Sequence, residues 1–352
     1  MLHDRIRRAR VLKGLTLEFV AQGLGDISKQ ALSKFEKGES TPNSARLLQL
    51  ARILGVSPEY FFRSEQVELA PLEFRKLAKM PKRQLEQVTE RITEHLERYI
   101  ALENCFDAAD IRAAKAPAQQ FLVSSFAEAE AAALELRKQW MIGEAPIANL
   151  TELLEEQGIK VALLDGPADF DGACASTRDG EHVLIVLNAA KAGERMRFTA
   201  AHELGHWVMK FPAEMSERDT ERCCHRFAGS FLYPASAVTT DFGGHQRSRV
   251  HPRELQIAKQ HYGLSMQAVL HRLKDLDLLS DAGHRSSSIQ FRMNGWHKTE
   301  PGQLPAEKPQ RFESLVFWGL AEDLFSKSRA AEFLQKPISV LDTSLNEVLV
   351  AA

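Results

Sequence analysis

Hydrophobic positions recur at intervals of three and four residues through the first sixty residues, which is the spacing of short amphipathic helices. One of these helices begins after Thr16, a residue type that favours the N-cap position. Ser28 is the expected N-cap of the next helix, Lys29–Lys37, which Gly38 ends. The pattern predicts an all-α domain of five short helices at residues 1–64.

Beyond residue 80 the same period predicts a longer helix, from 81 to about 106. Its apolar residues lie along one side of the helix, and we interpret this stripe as a packing face, with a homodimer seam as the alternative. The residues of the stripe are Leu85, Val88, Ile92, Leu96, Tyr99 and Leu102. An Ala-rich stretch with a proline, 107–120, marks a boundary. Three short apolar runs then predict strands at 159–164, 173–177 and 182–187. Further helices are predicted at 121–140, 147–157, 194–210, 217–232, 253–262, 266–278, 312–326 and 329–333.

Composition is that of a soluble globular protein, with 44% hydrophobic and 26% charged residues. The apolar run 183–187 is too short to span a bilayer, and the charged N-terminus has no apolar stretch behind it, so we expect neither membrane insertion nor a signal peptide. Four cysteines without framework spacing favour reduced thiols and a cytoplasmic location. Residues 1–63 hold eleven Lys and Arg against six Asp and Glu, and this local basic surplus favours contact with nucleic acid.

The clearest chemical signal is the pentapeptide HELGH at 202–206, inside a predicted amphipathic helix. Residues four apart on a helix lie about 40° apart around its axis, so the imidazoles of His202 and His206 can hold one ion. Glu203 lies about 100° round from His202, where it can reach water on the metal without being a ligand. Imidazole nitrogens with one carboxylate and an open position suit Zn²⁺, with Glu203 as general base.

A third ligand is expected on the following helix. Glu221 and His225 lie four residues apart there and share a face, so Glu221 can ligate while His225 orients a ligand through a hydrogen bond. The residue pattern also allows His225 or Cys224 to be the third ligand. Tyr233 is a candidate donor to the oxyanion, although a core position is its expected role.

A family resemblance bears on this choice. The chain resembles the ImmA/IrrE family of metallopeptidases over roughly residues 121–280. In that family the third ligand is a glutamate shortly before a Phe-Ala pair, the position of Glu221 here. The resemblance implies Zn²⁺ held by His202, His206 and Glu221, and a transcriptional repressor as substrate. The family usually has a small residue and then Asn at 224–225. The stretches that carry the resemblance are RFTAAHELGH (197–206), ERCCHRFA (221–228) and FLYP (231–234).

Residues 5–62 resemble the Cro/repressor-type (XRE) helix-turn-helix over their full length. In such domains the second helix of the pair enters the major groove of double-stranded operator DNA, and its first residues read base edges. Arg10 and Glu36 match the internal ion pair of such domains. A protein-docking or dimerising module is the alternative for this fold. The implied DNA contacts are Lys29, Gln30 and Lys34 to bases, and Ser28 and Ser33 to phosphate or sugar.

These signals predict a mostly helical α+β chain. Two functions fit it. The first is a DNA-binding zinc endopeptidase that cleaves a repressor or partner regulator, with Glu203 as general base. The second is a helix-turn-helix regulator or antitoxin-like protein whose zincin domain senses a ligand or partner and hydrolyses little. The intact motif favours the first, because a pure sensor has no need of Glu203. The predicted parts are a helix-turn-helix domain at 1–64, a helical linker at 65–120, a zincin-like peptidase domain with a small sheet at 121–283, and a helical C-terminal extension at 284–352.

Overall fold

The computed structural model describes residues 1–63, 67–70, 80–111 and 115–342. The chain divides into two compact units. Unit 1 comprises Met1–Ala113 with Gln310–Ala352, and unit 2 comprises Ala114–Pro309. The predicted boundary at 64, parts of the predicted linker and the end of the predicted extension lie outside the described residues, and the bounds of the four parts stay predictions. None of the described helices is long and apolar enough to cross a membrane.

Unit 1 begins with four short α-helices and a 3₁₀ helix, as the hydrophobic pattern predicts. The side chains of Thr16 and Ser28 accept hydrogen bonds from the amides of Phe19 and Ala31, which fixes two N-termini. Gly38 ends the third helix at φ 75°, a left-handed conformation that costs glycine no Cβ clash. The elements are α1 (Leu2–Leu12), α2 (Leu17–Leu24), α3 (Lys29–Lys37), α4 (Ser44–Leu54) and the 3₁₀ helix Pro58–Phe62.

The long predicted helix is α5 (Lys82–Glu103), and it lies inside unit 1. It packs against α1 and against two C-terminal helices, α14 (Arg311–Ala321) and α15 (Lys327–Leu334). The stripe is therefore a packing face within the unit, as its first interpretation predicts. Its buried members are Val88, Ile92, Leu96, Tyr99 and Leu102.

Ion pairs between buried side chains hold α1 against α5. Arg5 Nη1 lies 2.5 Å from Glu97 Oε2, and Arg8 Nη1 lies 2.7 Å from Glu97 Oε1. One turn earlier on α5, Glu94 pairs with Arg63 at 2.9 Å, and Arg63 also pairs with Glu332 at 2.7 Å. Breaking one partner of such a pair leaves an uncompensated buried charge, so these contacts constrain how α1 and α5 pack.

Unit 2 contains two small sheets. A two-residue strand, β1 (Phe121–Leu122), pairs in parallel with β5 (Met209–Lys210). The larger sheet has the order β2-β4-β3, with β2 (Ile159–Leu164) parallel to β4 (Val183–Asn188) and β3 (Gly172–Ser176) antiparallel to it. Every residue of β4 is buried, which explains its unbroken apolar run. The three predicted strands are confirmed to within one residue at each end.

The described residues of unit 2 also form eight helices. The helix predicted to begin at 121 instead begins at Phe126, because 121–122 pair as β1. The eight are α6 (Phe126–Gln139), α7 (Leu150–Glu156), α8 (Gly193–Val208), α9 (Glu217–Leu232), α10 (Ala235–Phe242), α11 (Pro252–Tyr262), α12 (Met266–Asp275) and α13 (Asp281–Met293). Of these, α7 and α8 pack against the strands. Helix α8, which carries the HELGH motif, packs against α9 and against both β3 and β4.

The segment between α13 and α14 is held near the starts of α12 and α8. Glu300 accepts hydrogen bonds from the amides of Met266 at 2.7 Å and Gln267 at 3.0 Å. Glu307 pairs with Arg197 of α8. A Cβ at Gly193 would lie 2.5 Å from the carbonyl oxygen of Pro305, so this close approach requires glycine.

Candidate metal centre

Helices α8 and α9 bring three donor side chains together. His202 and His206 project from α8 one turn apart, with 3.1 Å between their Nε2 atoms. Glu221 of α9 places Oε2 3.4 Å from His202 Nε2 and Oε1 3.1 Å from His206 Nε2. One donor atom from each residue lies within 4.8 Å of the others. This is the arrangement in which three side chains can share one ion.

The distances suit a tetrahedral ion. Ligand atoms about 2 Å from such an ion lie about 3.3 Å from one another, close to the separations found between these donors. The His202 side chain is 2% exposed, and Glu221 brings one carboxylate to two imidazoles. A mostly buried donor set with one negative charge favours a bound cation, and the residues therefore fit a divalent metal.

The other candidates for third ligand lie differently. Among the described residues, the donor group comprises His202, His206 and Glu221, without Cys224 or His225. Cys224 is buried. The His225 ring packs against His202, with centroids 4.5 Å apart, and stacks on Phe198 at 5.7 Å. The structure thus brings Glu221 to the position that the family resemblance implies, and gives His225 a ring contact.

Glu203 lies beside the donor group in sequence but does not belong to it. Its side chain is 5% exposed, and its Oε2 accepts a hydrogen bond from the backbone amide of Cys174 at 3.1 Å. Cys174 lies in β3, one of the two edge strands of the larger sheet. Sequence reasoning did not find this partner, because a backbone donor 29 residues away has no side-chain signal.

Tyr233 occupies the core, its expected position. It is fully buried, donates its hydroxyl to Asp241 Oδ2 at 2.5 Å and stacks on Tyr262 with centroids 3.7 Å apart. Burial raises the pKa of the Tyr233 phenol well above its usual value, and the hydrogen bond to Asp241 raises it further. A hydroxyl committed in this way does not point to an oxyanion-stabilising role.

The predicted DNA-contacting residues lie on α3 and at its N-cap. Ser28, Lys29, Gln30 and Lys34 are exposed, while Ser33 is half-buried. Ser28 Oγ also accepts the capping bond from Ala31 at 3.2 Å.

The internal ion pair of this domain is present. Arg10 donates from Nε and Nη2 to the two Glu36 carboxylate oxygens at 2.6 and 2.7 Å. Such a bidentate pair has both strength and defined geometry. We therefore read Arg10 and Glu36 as structural residues that hold α1 against α3.

Known protein families match both the helix-turn-helix region and the region that contains the donor group. Residues 6–61 match the helix-turn-helix family, and residues 154–274 match the IrrE N-terminal-like domain of peptidase family M78. The chain is 31% identical over 68 residues to the SPbeta prophage-derived uncharacterized HTH-type transcriptional regulator YonR of Bacillus subtilis (strain 168). That match covers 19% of this chain and 62% of the relative, less than two thirds of its length.

Among solved structures, ComR from S. thermophilus in complex with DNA and its signalling peptide ComS aligns over 95% of this chain and 99% of that chain. Its sequence identity is 13% and its TM-score is 0.19, too low to indicate a shared fold. The two family matches cover the helices α1–α4 and the donor group. The chain thus combines an N-terminal helix-turn-helix domain with an IrrE N-terminal-like domain of peptidase family M78.

Proposed function

We propose that this protein is a DNA-binding regulatory zinc endopeptidase that cleaves a transcriptional repressor or a partner regulator. The observation that carries the proposal is the donor group of His202, His206 and Glu221, with the non-ligating carboxylate of Glu203 next to the first histidine. Two imidazoles and one carboxylate form a ligand set used by catalytic zinc, which keeps a fourth position open. A closed structural site would need a fourth protein ligand.

The chemistry follows from these residues. A Zn²⁺ ion held by His202, His206 and Glu221 would supply Lewis acidity, which would polarise a peptide carbonyl and lower the pKa of water toward neutrality. Glu203 accepts the proton of the attacking water and passes it to the leaving amine. The hydrogen bond from the Cys174 amide holds the Glu203 carboxylate in one orientation for these transfers.

The position of β3 supports a peptide substrate. This strand lies at the edge of the sheet, and an extended peptide can add to such an edge through main-chain hydrogen bonds. Cys174 of β3 also holds Glu203, so a peptide paired with this strand would lie beside the proton acceptor. Recognition through the main chain suits an exposed linker of a partner protein.

The exposed positions of α3 support the DNA-binding part of the proposal. Lys29 and Lys34 can donate to guanine, and Gln30 can form paired hydrogen bonds with adenine. Binding to the operator would also bring the enzyme close to a repressor bound nearby. Tethering of this kind raises the effective concentration of the substrate to roughly the mM range without any new contact.

The experiment uses the full chain. We would incubate it with each small helix-turn-helix protein encoded beside its gene, with and without 1,10-phenanthroline, and identify products by mass spectrometry. The proposal predicts that one of these proteins is cut at a single exposed linker, that the chelator stops cleavage, and that added Zn²⁺ restores it. Cleavage that continues in the presence of the chelator would contradict a metal-dependent reaction. If the neighbouring proteins stay uncut in every mixture, the proposed substrate class is wrong.

A further inference from the structure

A cavity of about 460 Å³ lies in unit 2, apart from the donor group. Its volume falls within the range of small-molecule sites, about 300–1,000 Å³. Phe198 of α8 and His225 of α9 line it. Phe198 lies four residues before the proposed ligand His202, and His225 lies four residues after the proposed ligand Glu221. The lining contains neither the three proposed ligands nor Glu203, so the cavity is a separate space beside the metal centre.

Aromatic rings form one part of the wall. Phe198 and His225 stack with centroids 5.7 Å apart and an interplanar angle of 22°. Phe126 of α6 supplies a third ring to the lining. Aromatic faces favour offset or edge-to-face contact with another ring, so this wall suits a ligand with a flat apolar body.

Four arginines line the cavity, and two of them, Arg226 and Arg272, pair with Glu130. The other two, Arg222 and Arg195, can offer their charge to a ligand. Arg222 lies 4.5 Å above the centroid of Phe126, and its side chain is 56% exposed. Its carboxylate partner, Asp219, is 3.5 Å away and 45% exposed. An exposed pair of this kind contributes little to stability, so Arg222 can turn to a bound anion at small cost.

Arg195 is available for a similar reason. It lines the cavity and pairs with Asp171 at 2.5 Å. Asp171 also contacts Lys191 at 3.1 Å, so this carboxylate keeps a cationic partner when Arg195 turns toward a ligand. The two arginines therefore offer five-donor planar groups that match a carboxylate.

The acidic residues of the lining do not cancel this charge. Glu194 pairs with Lys259 at 2.6 Å. Burial acts to raise the Glu194 pKa, but the hydrogen bond and the charge of Lys259 help to bring it below its usual value. Asp275 pairs with Arg226 at 3.4 Å. Each lining carboxylate thus contacts a cation other than Arg195 and Arg222, and the carboxylate partners of these two arginines, Asp171 and Asp219, lie outside the lining.

We propose that this cavity binds a small planar organic anion, an aromatic ring system that carries a carboxylate. The ring lies against Phe198, His225 and Phe126, and the carboxylate pairs with Arg222 and Arg195. A free small molecule fits better than a substrate side chain, because no residue of the donor group lines the cavity. The ligand would contact His225, whose ring centroid is 4.5 Å from that of His202, so the site adjoins the metal centre without being part of it.

The test titrates the full chain with 1-naphthoate and with its neutral isostere 1-naphthamide by calorimetry. We expect one site per chain and about tenfold tighter binding of 1-naphthoate, the scale of one charged hydrogen bond. Arg222→Gln should reduce that preference by weakening 1-naphthoate alone, and the double variant Arg195→Gln/Arg222→Gln should remove it. Arg218→Gln, one turn earlier on α9 and outside the lining, should leave both affinities unchanged.

A second variant tests the cavity itself. Ala268 is half-buried in the lining, and Ala268→Phe should fill the space and remove binding of both probes while circular dichroism shows an unchanged helical content. Equal affinity for the two probes, equal effects of Arg222→Gln and Arg218→Gln, full binding by Ala268→Phe, or no binding of 1-naphthoate at millimolar concentration would each overturn the proposal.

Discussion

The carboxylate of Glu203 accepts a hydrogen bond from the backbone amide of Cys174, 3.1 Å away, and so joins the helix that carries His202 and His206 to an edge strand of the sheet. The donor is a main-chain group, so the bond does not depend on the cysteine side chain. A glutamine at 203 keeps an oxygen that can accept the same bond, yet it cannot take up a proton near neutral pH. The proposed proton acceptor can therefore be removed without removing this contact.

Metal content tests the assignment of the third ligand. We expect about one Zn²⁺ per chain in the wild type and much less in Glu221→Ala, because the variant has only two of the three protein ligands. Glu217→Ala is the matched control, one turn earlier on α9 and outside the donor group, and should bind metal like the wild type. The measurement is elemental analysis after dialysis. Full occupancy in Glu221→Ala would refute the assignment and direct attention to His225.

Base contacts by α3 predict a sequence-specific loss of DNA affinity. Lys29→Ala or Gln30→Ala should weaken operator binding by about 1–3 kcal/mol while non-specific binding changes little. Lys37→Ala, at the exposed C-terminal end of α3, is the control and should not alter specificity. Fluorescence anisotropy at several salt concentrations measures the affinity for operator DNA and the affinity for non-specific DNA. A uniform loss on all sequences, with a salt slope reduced by about one, would instead assign Lys29 to phosphate.

Local signals explain how much of the fold was predictable. Thr16, Ser28 and Gly38 act on their own helices, since each cap involves residues three or four positions away. The helix that carries the HELGH motif was predicted from its period and found at Gly193–Val208. The ligand pair within it was predictable because i and i+4 always share a helix face.

Contacts between distant residues were not predictable in this way. Arg5 and Glu97 pair although 92 positions separate them, and nothing in the sequence around either residue indicates the other. The pairing of Phe121 with Met209 converted the start of a predicted helix into strand β1. The placement of Glu221 needed either the fold or a family resemblance, because the pattern alone left His225 and Cys224 open.

The Arg10–Glu36 pair should stabilise the helix-turn-helix domain. Glu36→Gln removes the charge that two short hydrogen bonds from Arg10 reach, and we expect unfolding to become easier by about 1–3 kcal/mol. Glu39→Gln is the control, because Glu39 is half exposed and lies 3.9 Å from Lys37. Urea unfolding followed by circular dichroism gives both values. Equal stability of the two variants would show that the buried pair is not a net stabiliser.

The stability of unit 1 is expected to depend on pH through His95. Burial and, to a smaller extent, the nearby Arg98 charge together lower the pKa of His95 to about 3, so His95 is neutral in the folded chain near neutral pH. The unfolded chain binds a proton at this residue below about pH 6.5, and the folded chain does not until about pH 3. Stability is therefore lost as pH falls through this window, by at most about 1.4 kcal/mol per pH unit for one group.

The measurement compares urea unfolding of wild type and His95→Gln between pH 4.5 and 7.5. Glutamine does not titrate, so the stability of the wild type relative to the variant should decline as the pH falls below about 6.5. A constant difference between wild type and His95→Gln across this range would contradict a buried neutral histidine.

Glu203→Gln separates catalysis from every other property of the chain. The variant should keep its zinc, its fold and its DNA binding, because Glu203 is neither a member of the donor group nor part of the helix-turn-helix domain. Hydrolysis should fall steeply, since a positioned acid–base group contributes on the order of 10²–10⁴-fold.

The most direct measurement co-expresses wild type or Glu203→Gln with the proteins encoded beside the gene, and follows those proteins by mass spectrometry together with an operator-controlled reporter. The proposed function predicts that wild type cuts one helix-turn-helix neighbour at a single linker and changes the reporter, while Glu203→Gln binds the operator and does neither. If Glu203→Gln regulates the reporter as well as wild type does, and no neighbour is cut in either case, the peptidase proposal is contradicted and the regulator acts as a sensor.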